Sequence, residues 1–184
     1  MTLVELLVVM ATTTLVAAAA AYLLIVAVKM QPRISDRSYA IQQGRVLEER
    51  VTRELRASTV VDAATPSSIT FRTYVRHVSC GGGTPTSPTA TAIVCKVSYS
   101  CPAPGAPANT CSRKEVAEDV VDPNVGTWVQ MVSGLSSNQI FRYEPPAAAT
   151  APALATYVGV DLEFPATSDD DAVTLTDGVD LRNR

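Results

Sequence analysis

From Leu6 to Val28 the chain runs for 23 consecutive residues without a formal charge, rich in leucine, valine and alanine. As a helix such a run reaches about 35 Å, and the hydrocarbon core of a bilayer is only about 30 Å thick. A cleaved secretory signal carries a basic start, a shorter apolar core and a small-residue cleavage site, a pattern that does not fit here. The polar residues in or just before the run are Thr2, Glu5 and Thr12 to Thr14. Threonine hydroxyls can bond back to their own helix, so they do not forbid insertion. Glu5 needs a reason, because a carboxylate at helix-centre depth costs about 2.5–3.5 kcal/mol on the mildest scale.

Past Lys29 the helical pattern continues, with Ala40, Gly44, Leu47, Val51 and Leu55 recurring at three- and four-residue intervals and charges on the other faces. Glu49 and Arg53 are spaced to pair at i,i+4, and Pro32 is expected to kink or interrupt the helix. Beyond Ala57 the pattern changes to short runs rich in β-branched residues. Ser68 to Val78 alternates in the manner of a half-buried strand, and Ala92 to Ser100 follows after a loop of glycine, threonine, proline and serine. Further strands are expected at Thr127 to Val132, Gln139 to Tyr143, Thr156 to Phe164 and Ala172 to Leu175, with a last extended piece through Leu181. Pro145 to Pro152 reads as an Ala/Pro loop. The expectation is an α+β chain with three parts: an apolar helix over 1–30, its amphipathic continuation over 31–57, and a β-rich head over 58–184. The second half of the long N-terminal helix is expected to pack on an antiparallel sheet.

Charge divides along the same lines. The net formal charge is −3, with Lys29 to Arg56 at +3, the residues beyond Ala57 at −5, and Glu5 supplying the last negative charge. A basic stem and an acidic head suit subunits that meet in an assembly, and equally suit ordinary solvated surface. Nothing resembles a nucleic-acid-binding stripe. Four cysteines, Cys80, Cys95, Cys101 and Cys111, fall within 32 residues, and an even count beyond a membrane anchor indicates two disulfides and an oxidising, extracytoplasmic location. Three connectivities are open. If the strands on either side of the glycine loop form a hairpin, Cys80–Cys95 staples it and Cys101–Cys111 closes the next, Pro-containing loop. A zinc site would need C-x2-C spacing or histidine partners, and His77 is the only histidine.

The opening Met1-Thr2-Leu3-Val4-Glu5-Leu6-Leu7-Val8-Val9-Met10 resembles the mature N-terminus of the type IV pilin and type II secretion pseudopilin superfamily. In that family a prepilin peptidase cuts after a glycine, the new first residue is N-methylated, and a glutamate occupies the fifth mature position. The resemblance implies that Met1 is the processed, methylated residue and that the leader has already been removed. It also implies that Glu5 neutralises the N-terminus of a neighbouring subunit, so that the chain builds a helical homo-oligomer, with minor pilins, the peptidase and the assembly machinery as partners. The subunit would be a single-pass cytoplasmic-membrane protein before assembly and part of an extracellular surface filament afterwards. Many family members have a proline at the twenty-second position, where this chain has Tyr22. Shorter similarities, Arg53-Glu54-Leu55-Arg56-Ala57, Phe141-Arg142-Tyr143 and Val179-Asp180-Leu181-Arg182-Asn183, point to the minor pilin W and pseudopilin J branch, whose members sit in tip or initiation complexes.

Other classes of function find less in the residues. Asp169, Asp170 and Asp171, with Asp177 nearby, lack the D-x-[DN]-x-[DN]-G pattern of a calcium loop, so no metal or cofactor is expected. His77 beside Cys80 is the one pairing that suggests a nucleophile, and no G-x-S-x-G, H-E-x-x-H or phosphate loop is present. No catalytic residue is expected. A membrane-anchored adhesin or binding module would present the loops Gly81 to Thr91 and Pro102 to Thr110, and Trp128 is expected in the core.

Overall fold

The computed structural model describes residues 2–75, 80, 92–120, 122, 125–166 and 171–181, with residues 28 and 30–36 described by their backbone alone. The first element is a helix, α1, Leu3–Arg56. Its helical backbone runs through Pro32 without the interruption expected there. Proline removes only one donor from the ladder, and the turns on either side keep theirs. The chain divides into two compact units, Met1–Tyr39 and Ala40–Arg184.

Eight strands follow the helix. β1 Ser58–Thr65, β2 Ser68–Val75, β3 Ile93–Ser100, β4 Thr110–Ala117 and β5 Val129–Ser133 form one sheet in sequential order, each antiparallel to the next. β6 Phe141–Glu144, β7 Tyr157–Phe164 and β8 Val173–Asp180 form a second antiparallel sheet. The chain is therefore α+β, with its long N-terminal helix joined to two sheets and not to one. β1 and β4 were not expected, and β8 joins the two pieces expected near the C-terminus. Of the Ser68 to Val78 run, residues 76–78, His77 among them, lie outside the described residues, as do residues 79 and 81–91.

Within Ala40–Arg184 the helix supplies the apolar stripe that its spacing predicts. Leu47 and Val51 are fully buried, Leu55 nearly so, and Ala40 packs at the margin of the same core. Gly44 is buried for a specific reason. A Cβ built there would lie 2.8 Å from Cζ of Phe164 on β7 and 3.2 Å from a methyl of Leu175 on β8, so the missing side chain sets how closely helix and second sheet approach. On the first sheet, Ile69, Phe71, Val97 and Tyr99 face the same core, with the rings of Phe71 and Tyr99 stacked at 6.2 Å. The i,i+4 ion pair of this stretch is Arg50–Glu54 at 3.1 Å, one position along from the Glu49/Arg53 spacing.

Glu54 explains why β4 escaped a hydrophobicity pattern. Its strand reads Thr-Cys-Ser-Arg-Lys-Glu-Val-Ala, yet all but Ala117 are buried. Arg113 reaches across to Glu54 at 2.9 Å and to Glu115 at 2.8 Å, while the Tyr99 hydroxyl donates to the same Glu54 carboxylate at 2.7 Å. The Thr73 hydroxyl donates to the Glu54 carbonyl at 2.9 Å. Strands β2, β3 and β4 are thus all tied to one helical residue. Burial is the largest single influence and disfavours the charge on Arg113, but the charges of Glu54 and Tyr99 and the hydrogen bonds to Glu54 and Glu115 together outweigh it and hold the guanidinium protonated.

Candidate functional site: the capped apolar helix

The site begins at the first turn of α1. The backbone N–H of Thr2 donates to Oε2 of Glu5 at 3.1 Å, and the backbone N–H of Glu5 donates to the Thr2 hydroxyl at 3.4 Å. This reciprocal arrangement is a capping box, in which two orphan donors at a helix start find side-chain acceptors. The Thr-x-x-Glu spacing of positions 2 to 5 is the sequence signal for this cap. A carboxylate has about four lone-pair positions, and the cap bond takes one, so capping is chemically compatible with a further cationic partner. A negative charge in the first turn also complements the helix dipole. Met1 lies outside the described residues.

From Leu3 to Ala27 the helix presents 25 residues of mean hydropathy 2.1, none of them buried. By length and composition it is long and apolar enough to cross a membrane. Leu3, Leu15, Val16, Leu23 and Leu24 are each more than 65% exposed. A monomer in water rarely exposes more than a few hundred Å² of contiguous apolar surface, and this helix leaves about seven turns of apolar residues uncovered. The threonines do not disturb it. The Thr12 hydroxyl donates to the carbonyls of Val8 and Val9, Thr13 to Val9 at 2.6 Å, and Thr14 to Met10 and Ala11, so each is satisfied inside its own helix.

The cysteines are joined as Cys80–Cys95 and Cys101–Cys111. The second bridge is fully buried and closes the turn between β3 and β4. Among the described residues the one group with metal-ligand proximity is Cys80, Cys95 and Glu115. Both sulfurs there are spent in a disulfide, so neither offers a thiolate to a metal or to a substrate. Asp169 and Asp170 lie outside the described residues, and Asp177 accepts the backbone N–H of Gly178 at 2.7 Å.

No protein-family model, curated protein or solved structure matches this chain. What the site can do is therefore argued from its chemistry. It offers an exposed apolar helix whose hydroxyls are internally bonded, one acidic group in its first turn, and a disulfide-bridged β head.

Trp128, expected in the core, is half-exposed and lies beside Lys114, whose ammonium sits 4.8 Å from the ring centroid.

Proposed function

We propose that this chain is a structural subunit of a type IV pilus-like extracellular filament, held in the membrane by its apolar helix before assembly and joined to its neighbours through that helix afterwards. The observation that carries this reading is Glu5, the only formally charged side chain between Leu3 and Val28, set in the first turn of a helix that is apolar and exposed over Leu3–Ala27. A lone carboxylate in such surroundings is costly unless it is paired. Its cap bond to Thr2 satisfies hydrogen bonding but leaves the negative charge, and the N-terminal ammonium of an adjacent subunit is the complementary group. Pairing of that kind fixes the stagger of one helix against the next and penalises other registers. The Met1-to-Met10 resemblance to pilins supports the same reading, and so do two disulfides, which suit an oxidising exterior.

The experiment is electron microscopy of sheared surface filaments from cells expressing wild-type or Glu5→Ala chain, with mass spectrometry of the N-terminal peptide. The expected result is filaments that contain this chain with methylated Met1 and that are lost in the mutant. A Glu5→Gln variant separates the two roles of the carboxylate: its amide oxygen can still cap, but it cannot neutralise an ammonium, so it too should fail to assemble. Unmethylated, membrane-bound monomer in all three strains would overturn the reading.

A further inference from the structure

The antiparallel register of the first sheet places polar side chains in rows on the face that does not carry Phe71, Val97 and Tyr99. Ser68 lies opposite Ser100, Thr70 opposite Ser98, and Ser98 opposite Lys114, while Lys96 stands one row along, opposite Val116. The Thr70 and Ser98 hydroxyls bond each other at 3.0 Å. That bond uses one of their two donors and leaves most of their acceptor capacity.

Among the described residues after β4, Val120 and Gly126 lie against this face, and Val120 and Asp122 line one side of a cleft. Lys96 donates to the carbonyl of Val120 at 2.9 Å, and Gly126, at φ +89°, approaches so closely that a Cβ would lie 2.5 Å from Val116. Trp128 lines the resulting cleft, together with the hydroxyl row, Lys96 and Lys114. Its volume is about 310 Å³, at the small end of ligand sites and suited to about one or two sugar rings.

The composition of the cleft differs from that of the head around it. The residues beyond Ala57 carry a net charge of −5 and contain only two lysines, and both of them line this cleft with the only tryptophan of the chain. We propose that the cleft is a binding site for an acidic saccharide. The indole, with the Lys114 ammonium over its ring, offers its remaining apolar surface to the carbon face of a pyranose, as amphipathic aromatics do in recognition. The serine and threonine floor matches ring hydroxyls as both donor and acceptor, and the lysine ammonium groups attract one carboxylate or sulfate. The Asp122 carboxylate, also among the lining groups, accepts from a sugar hydroxyl and opposes a densely charged polyanion.

Because the chain has a single tryptophan, its emission reports on this site alone. The full-length protein in detergent is titrated at constant ionic strength with 3′-sialyllactose, with lactose, and with sodium sulfate. The expected result is a saturable change with the acidic trisaccharide, and at least about tenfold weaker responses to the neutral sugar and to the bare anion. Lys96→Met and Ser98→Ala are each expected to weaken binding by about tenfold, the scale of one lost charge-assisted or buried hydrogen bond, with far-UV circular dichroism unchanged. Arg142→Gln, on the second sheet, is expected to bind as wild type. The proposal is overturned by no saturable change with 3′-sialyllactose, by equal responses to sulfate or lactose, or by folded Lys96→Met and Ser98→Ala variants that bind as wild type.

Discussion

Among the described residues Glu54 gathers polar contacts from the helix and from three strands. It meets Arg50, Arg113 and Tyr99 through its carboxylate and Thr73 through its carbonyl. Glu54→Ala is expected to cost about 3–5 kcal/mol in denaturant unfolding, because it leaves Arg113 buried with one carboxylate fewer. The same cluster sets an alkaline limit. Burial, followed by the Glu54 charge, raises Tyr99 well above the ordinary phenol value, and burial raises Tyr143, whose hydroxyl donates to the carbonyl of Thr65. Both groups are therefore raised in the folded state above the value of about 10 in an unfolded chain. Their contribution is fully present below about pH 10 and is lost as the pH rises further, because the unfolded chain releases protons that the folded one retains. Unfolding free energies measured from pH 8 to 12 should be flat to about pH 10 and then fall, less steeply in Tyr99→Phe. Glu48 carries the opposite lesson. One of its carboxylate oxygens is buried without a hydrogen-bond partner among the described residues, and burial and then Asp177 raise its pKa. Glu48→Gln should therefore be more stable than wild type at neutral pH, with the difference vanishing in acid below the ordinary glutamate range. Apart from the local i,i+4 spacing of Arg50 and Glu54, these contacts were not legible in the sequence, since Glu54, Tyr99 and Arg113 lie on three elements and only the folded register brings them together.

The elements that could be read in advance were those whose own periodicity matches the surface they bury. Leu47, Val51 and Leu55 mark the buried stripe of α1, and alternation marks β2 as Ile69, Phe71 and Thr73 turn inward. β4 could not be found this way, because both of its faces are covered and its inward groups are charged. β1, with Ala63, Ala64 and two register shifts, alternates too weakly to stand out. Gly44 is where helix and second sheet meet most closely. Gly44→Ala must displace the Phe164 ring, and overpacking of this kind costs about 1–3 kcal/mol, offset in part by the roughly 1 kcal/mol of helix propensity that alanine gains over glycine. A net loss of up to about 2 kcal/mol is expected by thermal or denaturant unfolding. Leu47→Ala, which empties space instead of crowding it, should cost more, about 2–5 kcal/mol. Opening the buried bridge with Cys101→Ala and Cys111→Ala together should cost about 3 kcal/mol on loop-closure grounds.

At the scale of the whole chain the two compact units differ in what stabilises them. Residues 40–184 carry a shared core drawn from α1 and both sheets, whereas the apolar residues of Leu3–Ala27 are bare. The membrane preference of the first unit is testable by itself: Val16→Arg places a charge near the middle of the apolar stretch, at about 2.5–3.5 kcal/mol on insertion scales. The wild-type chain should resist carbonate extraction from membranes, and the variant should be extracted in substantial part. The threonine hydroxyls of positions 12 to 14 have a further consequence for such a segment. Each already points its proton at a carbonyl one turn back, so none has a partner to forfeit when the helix exchanges one apolar surrounding for another. In the assembly proposed above, sliding out of lipid and against other helices would trade dispersion contacts for dispersion contacts. The three threonines should add almost nothing to the barrier for that exchange, in either direction.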